Sequence, residues 1–138
     1  MKIIKLTTVA ILLVSSLFAA NTTIQKKPSS LSSDMRSMLT AMEHIQRSGF
    51  YQDYDGMIAG VEQLKSGLKS LSKVDPKSYL PSDQQYATKF AEKREKMLLM
   101  YANDLAEAAA SRDMDQALED YTQLMNQCTS CHIRLRTW

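Results

Sequence analysis

The chain has 138 residues, which is enough for one domain. Hydrophobic residues make up 44% of it and charged residues 23%, proportions that exclude a disordered or collagen-like chain. Only 4 glycines, 3 prolines and 2 cysteines occur, which disfavours a β fold rich in tight turns and a disulfide scaffold, and favours long helices.

The first residues have the layout of a secretory signal peptide. Two lysines precede an apolar run over residues 6–18, which ends in Ala19-Ala20. This run is shorter than the about 20 apolar residues that a membrane span requires. We therefore predict a signal peptide over residues 1–20, a periplasmic location, and no stable membrane insertion after the leader is removed.

Removal of the leader leaves equal numbers of acidic and basic residues. A near-neutral chain gives no electrostatic reason to expect nucleic-acid binding. Residues 21–30 are rich in Ser, Thr and Lys and contain Pro28, so they are predicted to form a flexible lead-in. Residues 31–138 are predicted to form the folded domain.

Four segments of this domain have the pattern of a helix with one buried stripe. Apolar side chains recur at alternating spacings of three and four residues, whereas a strand would alternate at every second residue. Four such helices with short connections predict an all-α fold, an antiparallel up-down-up-down four-helix bundle. The predicted stripes are, in chain order, Leu31, Met35, Met38, Met42 and Ile45; Tyr54, Met57, Val61, Leu64, Leu68 and Leu71; Phe90, Arg94, Met97, Tyr101, Leu105 and Ala108; and Met114, Leu118, Tyr121, Met125, Cys128, His132 and Leu135.

Local signals mark the ends of these helices. Gly49, after a serine, is expected to end the first helix. Ser82 with Gln85, and Asp113 with Gln116, have the spacing of a capping box, which predicts the starts of the third and fourth helices.

The second helix contains Gly56, Gly60 and Gly67 in its interior. Each glycine costs about 1 kcal/mol there relative to alanine. Gly56 and Gly60 lie on one face, where a neighbouring backbone or a flat ligand can come close. The alternative is that the glycines are simply tolerated, and the sequence leaves these readings open.

The most informative residues are the pentapeptide Cys128-Thr129-Ser130-Cys131-His132, which is the attachment sequence of c-type haem. Two thiols three positions apart lie on one helical face, and each can add to one haem vinyl group. The imidazole of His132 can then reach the iron from the same side. The motif predicts one haem c, bound covalently through two thioethers.

Three other interpretations of the motif are weighed against haem. A thioredoxin-like redox pair requires a βαβ setting, and this chain has no strand pattern. A structural zinc site requires four ligands, and the only set is Cys128, Cys131, His132 and His44, in which the adjacent pair is poorly placed to share one metal. The third interpretation is a chance match to a short motif. Export, the apolar stripe and the absence of other cysteines favour haem.

The position of the motif near the C-terminus of a four-helix pattern resembles the class II c-type cytochromes, the cytochrome c′ family with its low-spin Met-ligated relatives. It is also similar to the soluble four-helix b-type cytochrome. The resemblance extends from Leu31 onward. One departure is that Leu135 occupies the place, three residues after the ligand His, where the family often has an aromatic residue. Arg136 follows it as in the family pattern.

The second axial ligand of the iron decides the function. In such a bundle the start of the first helix lies level with the end of the fourth, and Met35 lies just over one turn into the first helix. Met35 is therefore the expected ligand opposite His132. The resemblance implies the same choice, because the low-spin relatives use a methionine in the opening turns of that helix. Met38 and Met42 are expected to line the pocket, since methionine stripes usually pack in cores.

The alternative is a five-coordinate iron like that of cytochrome c′ itself, which binds diatomic gases such as NO or CO. Leu39, one turn beyond Met35, would then shield the empty position. His44 falls off the apolar stripe and is expected at the surface.

Three arginines are candidates for pairing with a haem propionate. Arg36 and Arg136 lie near the haem end of the predicted bundle. Arg94 lies on the apolar stripe of the third helix, where an unpaired buried charge is costly. Its expected arrangement is a stem packed inside with the charged head in water.

These inferences lead to a periplasmic electron carrier whose partners are other redox proteins. The chain shows no general base, nucleophile or phosphate loop, so no enzymatic turnover is expected. A third option is a haem-free exported bundle that uses the cysteines as a thiol pair. By analogy with the class II bundles, a homodimer formed through the first two helices is also possible.

Overall fold

The computed structural model describes residues 31–79 and 86–135. The predicted signal peptide over 1–20, the lead-in over 21–30 and Arg136 lie outside the described residues. Four α-helices account for most of this part of the chain, and no strand occurs in it. They are α1 (Leu31–Phe50), α2 (Tyr54–Leu71), α3 (Ala87–Ala110) and α4 (Met114–Leu135), with a 3₁₀ turn at Pro76–Ser78. None of the described helices is long and apolar enough to cross a membrane.

The start of α4 follows the predicted cap. The Asp113 carboxylate accepts a hydrogen bond of 3.0 Å from the backbone N–H of Gln116, which satisfies one of the unpaired donors of the first turn. The cap predicted at Ser82 and Gln85 lies outside the described residues. The first helix continues one residue beyond Gly49, to Phe50.

The predicted stripes of α1 and α2 form the centre of the core. Their large apolar side chains are buried and pack in one cluster with those of α3 and α4. The buried apolar side chains of the first two helices are Met38, Ala41, Met42, Ile45, Met57, Val61, Leu64 and Leu68.

Two positions of the predicted α4 stripe are wrong, whereas Met114 and Tyr121 pack against the core as predicted. Leu118 is 62% exposed and Met125 is 45% exposed. The buried positions lie one residue earlier and belong to Ala117, Asp120, Leu124 and Gln127. The physical reason is that small and hydrogen-bonded side chains turn toward α3, whose facing positions are mostly alanine, so the two helices approach closely.

The glycines of α2 admit the neighbouring helix. A Cβ atom on Gly60 would lie 2.7 Å from Cγ1 of Ile45, 3.2 Å from the backbone nitrogen of Ile45 and 3.4 Å from the carbonyl oxygen of Ala41. A Cβ atom on Gly67 would overlap the side chain of Met38. Close approach of α1 therefore accounts for these glycines, which supports the interpretation that they admit a neighbouring backbone.

The helices do not pack equally with one another. Extensive packing joins α1 to α2, α3 to α4, and α2 to α3. In contrast, α1 and α4 contact each other sparsely. The hydroxyl of Tyr121 lies 3.5 Å from the carbonyl oxygen of Met42 across this pair, as a long hydrogen bond.

Candidate functional site

The attachment motif lies in the last two turns of α4. Cys128, Cys131 and His132 are all partly buried there, and neither cysteine forms a disulfide. The Cys128 side chain packs against the core. Burial, and then the nearby Cys131, raise the pKa of the Cys128 thiol to about 11. The arrangement therefore places two protonated thiols close together on one face.

Cys131 has a different environment from Cys128. Burial raises the pKa of the Cys131 thiol, and the positive charge of Arg94 opposes this increase. Cys131 also lines a cavity of about 120 Å³ at this end of the molecule. Cys131 is thus the motif cysteine that faces both open space and a positive charge.

The same cavity is lined by Met35 from the second turn of α1. The structure thereby brings together the predicted methionine ligand and one of the attachment cysteines, although they come from opposite ends of the described chain. The end of α2, the segment after it and α3 complete the lining, with Leu71, Val74, Tyr79, Ala91, Arg94 and Leu98 among its residues.

The other predicted pocket residues of α1 lie elsewhere. Met38 and Met42 are buried in the core, and neither lines this cavity. Leu39 is 60% exposed. His44 is also exposed, as its position off the stripe indicated. Met35 is therefore the α1 methionine that the cavity includes.

Arg94 is partly buried, and its guanidinium contacts side chains of α3 and α4. Its Nη1 atom donates a hydrogen bond to the Oε1 atom of Gln127, a buried residue of α4, and its Nε atom is buried without a partner. The guanidinium also lies 4.8 Å from the centre of the Phe90 ring, and that of Arg134 lies 4.9 Å from the same ring. The buried Nε atom is consistent with the predicted packing of the stem inside the protein, and Gln127 supplies an acceptor for Nη1 that the sequence did not predict.

Two further ionisable groups line the cavity. Burial, followed by electrostatic interaction with the ionisable groups of Cys131, Glu95 and Asp75, raises the pKa of the Tyr79 phenol, so Tyr79 keeps its proton at neutral pH. Burial, and then the neighbouring Glu92, raise the pKa of Glu95. The cavity therefore contains a phenol O–H donor close to the second cysteine.

Sequence reasoning missed Gln127 and Tyr79. Gln127 is polar and lies off the apolar stripe, and the only available signal was its spacing of seven residues from Asp120, the other buried polar side chain of α4. Tyr79 lies in the segment between two prolines, where no helical period predicts the direction of a side chain.

The residues at this end do not assemble the zinc alternative. Within residues 31–79 and 86–135, no three His, Cys, Asp or Glu side chains come together as a metal site. The thiol-pair alternative is disfavoured as well, because reactive cysteines have lowered pKa values and that of Cys128 is raised.

The donor set at this end fits a covalently attached haem. Two neighbouring thiols and an adjacent imidazole lie on α4, Met35 of α1 lines the same cavity as Cys131, and a buried arginine donor has no partner. The cavity is smaller than the roughly 300–1,000 Å³ of most small-molecule pockets. Side chains must therefore move apart to admit a large ligand, and the sparse contact between α1 and α4 is where such movement costs least.

Comparison of the chain with protein-family models, with curated proteins and with solved structures found no match.

Proposed function

We propose that this chain is a periplasmic c-type cytochrome of the class II, four-helix kind, which carries single electrons between redox proteins. One haem would be attached through Cys128 and Cys131, with His132 and Met35 as axial ligands. The observation that carries the proposal is that Met35 and Cys131 line the same cavity.

An antiparallel arrangement of α1 and α2 supports this proposal. Gly60 of α2 faces Ile45 of α1, whereas Gly67, further along α2, faces the earlier residue Met38. In an up-down-up-down bundle the start of α1 then lies beside the end of α4, which is the place that a ligand shared by these two helices requires.

The attachment chemistry follows from the two thiols. Each thiol adds across the C=C bond of one vinyl group: the sulfur bonds to one carbon, the thiol hydrogen moves to the other, and no net oxidation occurs. The imidazole of His132 and the sulfur of Met35 would hold the iron. When bound, haem iron alternates between ferric and ferrous states that differ by one electron, and methionine ligation raises its potential relative to two histidines.

The gas-binding alternative receives less support from this arrangement. It requires an apolar side chain of α1, for which Leu39 was the candidate, to cover an empty axial position. Leu39 is largely exposed, while the sulfur-bearing side chain of Met35 lines the cavity. We therefore favour the six-coordinate carrier and treat gas binding as an outcome of the test.

The first test is production of the full chain in a host with working cytochrome c maturation. We expect a coloured mature protein whose mass includes one covalent haem and whose oxidised spectrum is low-spin. Carbon monoxide should not alter the reduced spectrum. A colourless protein would refute haem attachment, and high-spin iron in the unmutated protein would favour the gas-binding alternative.

The second test is replacement of the axial methionine, with a matched control. In Met35→Ala the iron should become high-spin and bind carbon monoxide, because the sulfur is removed. In Met100→Ala, which alters an exposed methionine of α3, the spectrum should not change. A low-spin spectrum in Met35→Ala that resists carbon monoxide would show that another residue is the sixth ligand.

A further inference from the structure

Arg94 carries a positive charge for which the described residues provide no counterion. No carboxylate in residues 31–79 and 86–135 forms an ion pair with it, although Glu92 and Glu95 line the same cavity. Its buried Nε donor has no acceptor. Because nearly all buried donors in native proteins are hydrogen-bonded, such a group on a charged side chain requires an explanation.

The orientation of the guanidinium is fixed by two contacts. Nη1 donates to the buried Gln127, and the plane of the group lies over Phe90. With Nη1 engaged, the edge formed by Nε and Nη2 remains for an acceptor. This edge has the fork geometry that binds a carboxylate through two parallel hydrogen bonds.

A second guanidinium lies near that of Arg94. Arg134 lies over the same Phe90 ring, so two guanidinium groups occur around one aromatic side chain. Arg134 is exposed to solvent, so it contributes to the positive potential around Arg94 more weakly than a buried charge would. The cavity to which Arg94 belongs is the one that contains Cys131 and Met35.

We propose that Arg94, positioned by Gln127, is a carboxylate-binding site that takes a propionate group of the haem. This inference rests on the proposed function, because the carboxylate is carried by the proposed cofactor. A free small carboxylate has the same chemistry, so the experiment must distinguish the two sources.

The test uses the full chain with Cys128→Ala and Cys131→Ala, so that haem binds reversibly. This parent is titrated with haem and with haem dimethyl ester, in which both propionates are masked, and binding is followed by absorbance. Loss of a charge-assisted pair should weaken binding of the ester by about tenfold or more. In the same chain carrying Arg94→Gln, the ester and haem should differ by about twofold or less.

Two controls separate this contact from general effects. Arg134→Gln, which removes the more exposed arginine over Phe90, should retain the preference for unesterified haem. Arg94→Lys should retain part of it, because lysine keeps the charge but not the fork. Binding of haem and of its ester is measured for each variant. A variant that loses its fold will therefore lose binding of both ligands, not only the preference for haem.

The outcomes distinguish this proposal from the one on which it rests. Equal binding of haem and its ester by the parent would overturn the carboxylate site while leaving haem binding intact. An increase in melting temperature with sodium acetate that requires Arg94, together with equal binding of haem and ester, would assign the site to a free carboxylate and also overturn the proposal. Failure of the parent to bind either porphyrin, together with a colourless full chain that retains both cysteines, would refute the proposed function itself.

Discussion

Replacement of Gly60 by alanine tests whether close packing of α1 on α2 builds this end of the molecule. The substitution gains about 1 kcal/mol of helix propensity. The added Cβ would lie 2.7 Å from a side-chain atom of Ile45 and 3.2 Å from its backbone nitrogen. Overpacking of a core typically costs about 1–3 kcal/mol, and a backbone contact cannot be relieved by rotation of a side chain.

The two opposing contributions predict a net loss. We expect Gly60→Ala to lower the free energy of unfolding by about 1–2 kcal/mol, since a contact with backbone places the cost near the upper end of that range. A change of 1 kcal/mol corresponds to roughly 4–8 °C in the melting temperature of a domain of this size. The assay is urea unfolding followed by circular dichroism, with both proteins in the same haem-bound or haem-free state.

Gly49→Ala is the matched control for this prediction. A Cβ at Gly49 would meet nothing within 4 Å, and its backbone φ is not positive. This variant should be more stable than the parent by about 0.5 kcal/mol, because alanine restricts the unfolded chain more than glycine does. If Gly60→Ala proved as stable as Gly49→Ala, the close approach of α1 to α2 would be disproved.

Three other predictions follow from local contacts. Gln127→Leu should lower the free energy of unfolding by about 1–3 kcal/mol, because it removes the acceptor of the Nη1 donor of the partly buried Arg94; urea unfolding measures this, and the exposed Asn126→Leu should have little effect. Asp113→Ala should cost about 1 kcal/mol through loss of the α4 cap, and an unchanged melting temperature would contradict that role. The pKa of Cys128 is raised from 9.0 to about 11, so its contribution to the stability of the haem-free protein is complete below pH 9 and is lost as the pH rises through about 11. Urea unfolding at pH 8 and pH 11 should show that loss, and a smaller loss in Cys128→Ala would identify its source.

The helices of the first half were predictable because their stripes consist of large apolar side chains. No competing stripe of similar size occurs on α1 or α2, so the spacing of the large apolar residues predicts which of them are buried. On α4 two stripes differ by one position, and the sequence favours the one that contains Leu118 and Met125. The structure buries the other stripe, because the alanines of α3 admit small side chains and Arg94 provides a partner for Gln127.

Some features of the candidate site could be predicted from the sequence, and others could not. The spacing of the two cysteines is local, so the sequence alone places them on one helical face. The expected order of helices predicted Met35 near the end of α4, opposite His132; the structure places Met35 on one cavity with Cys131, and His132 does not line that cavity. The positions of Gln127 and Tyr79 depend on contacts between elements that are distant in the chain, and no local period encodes them.

The sparse contact between α1 and α4 has a consequence for how this molecule is held together. The remaining three interfaces connect α1 to α2, α2 to α3 and α3 to α4. The outer helices α1 and α4 are therefore held together mainly through α2 and α3. A group bonded to both outer helices would convert this linear path into a closed ring. Separation of either outer helix would then require breakage at two interfaces, and the backbone amides of α1 and α4 would exchange hydrogen more slowly than without that group.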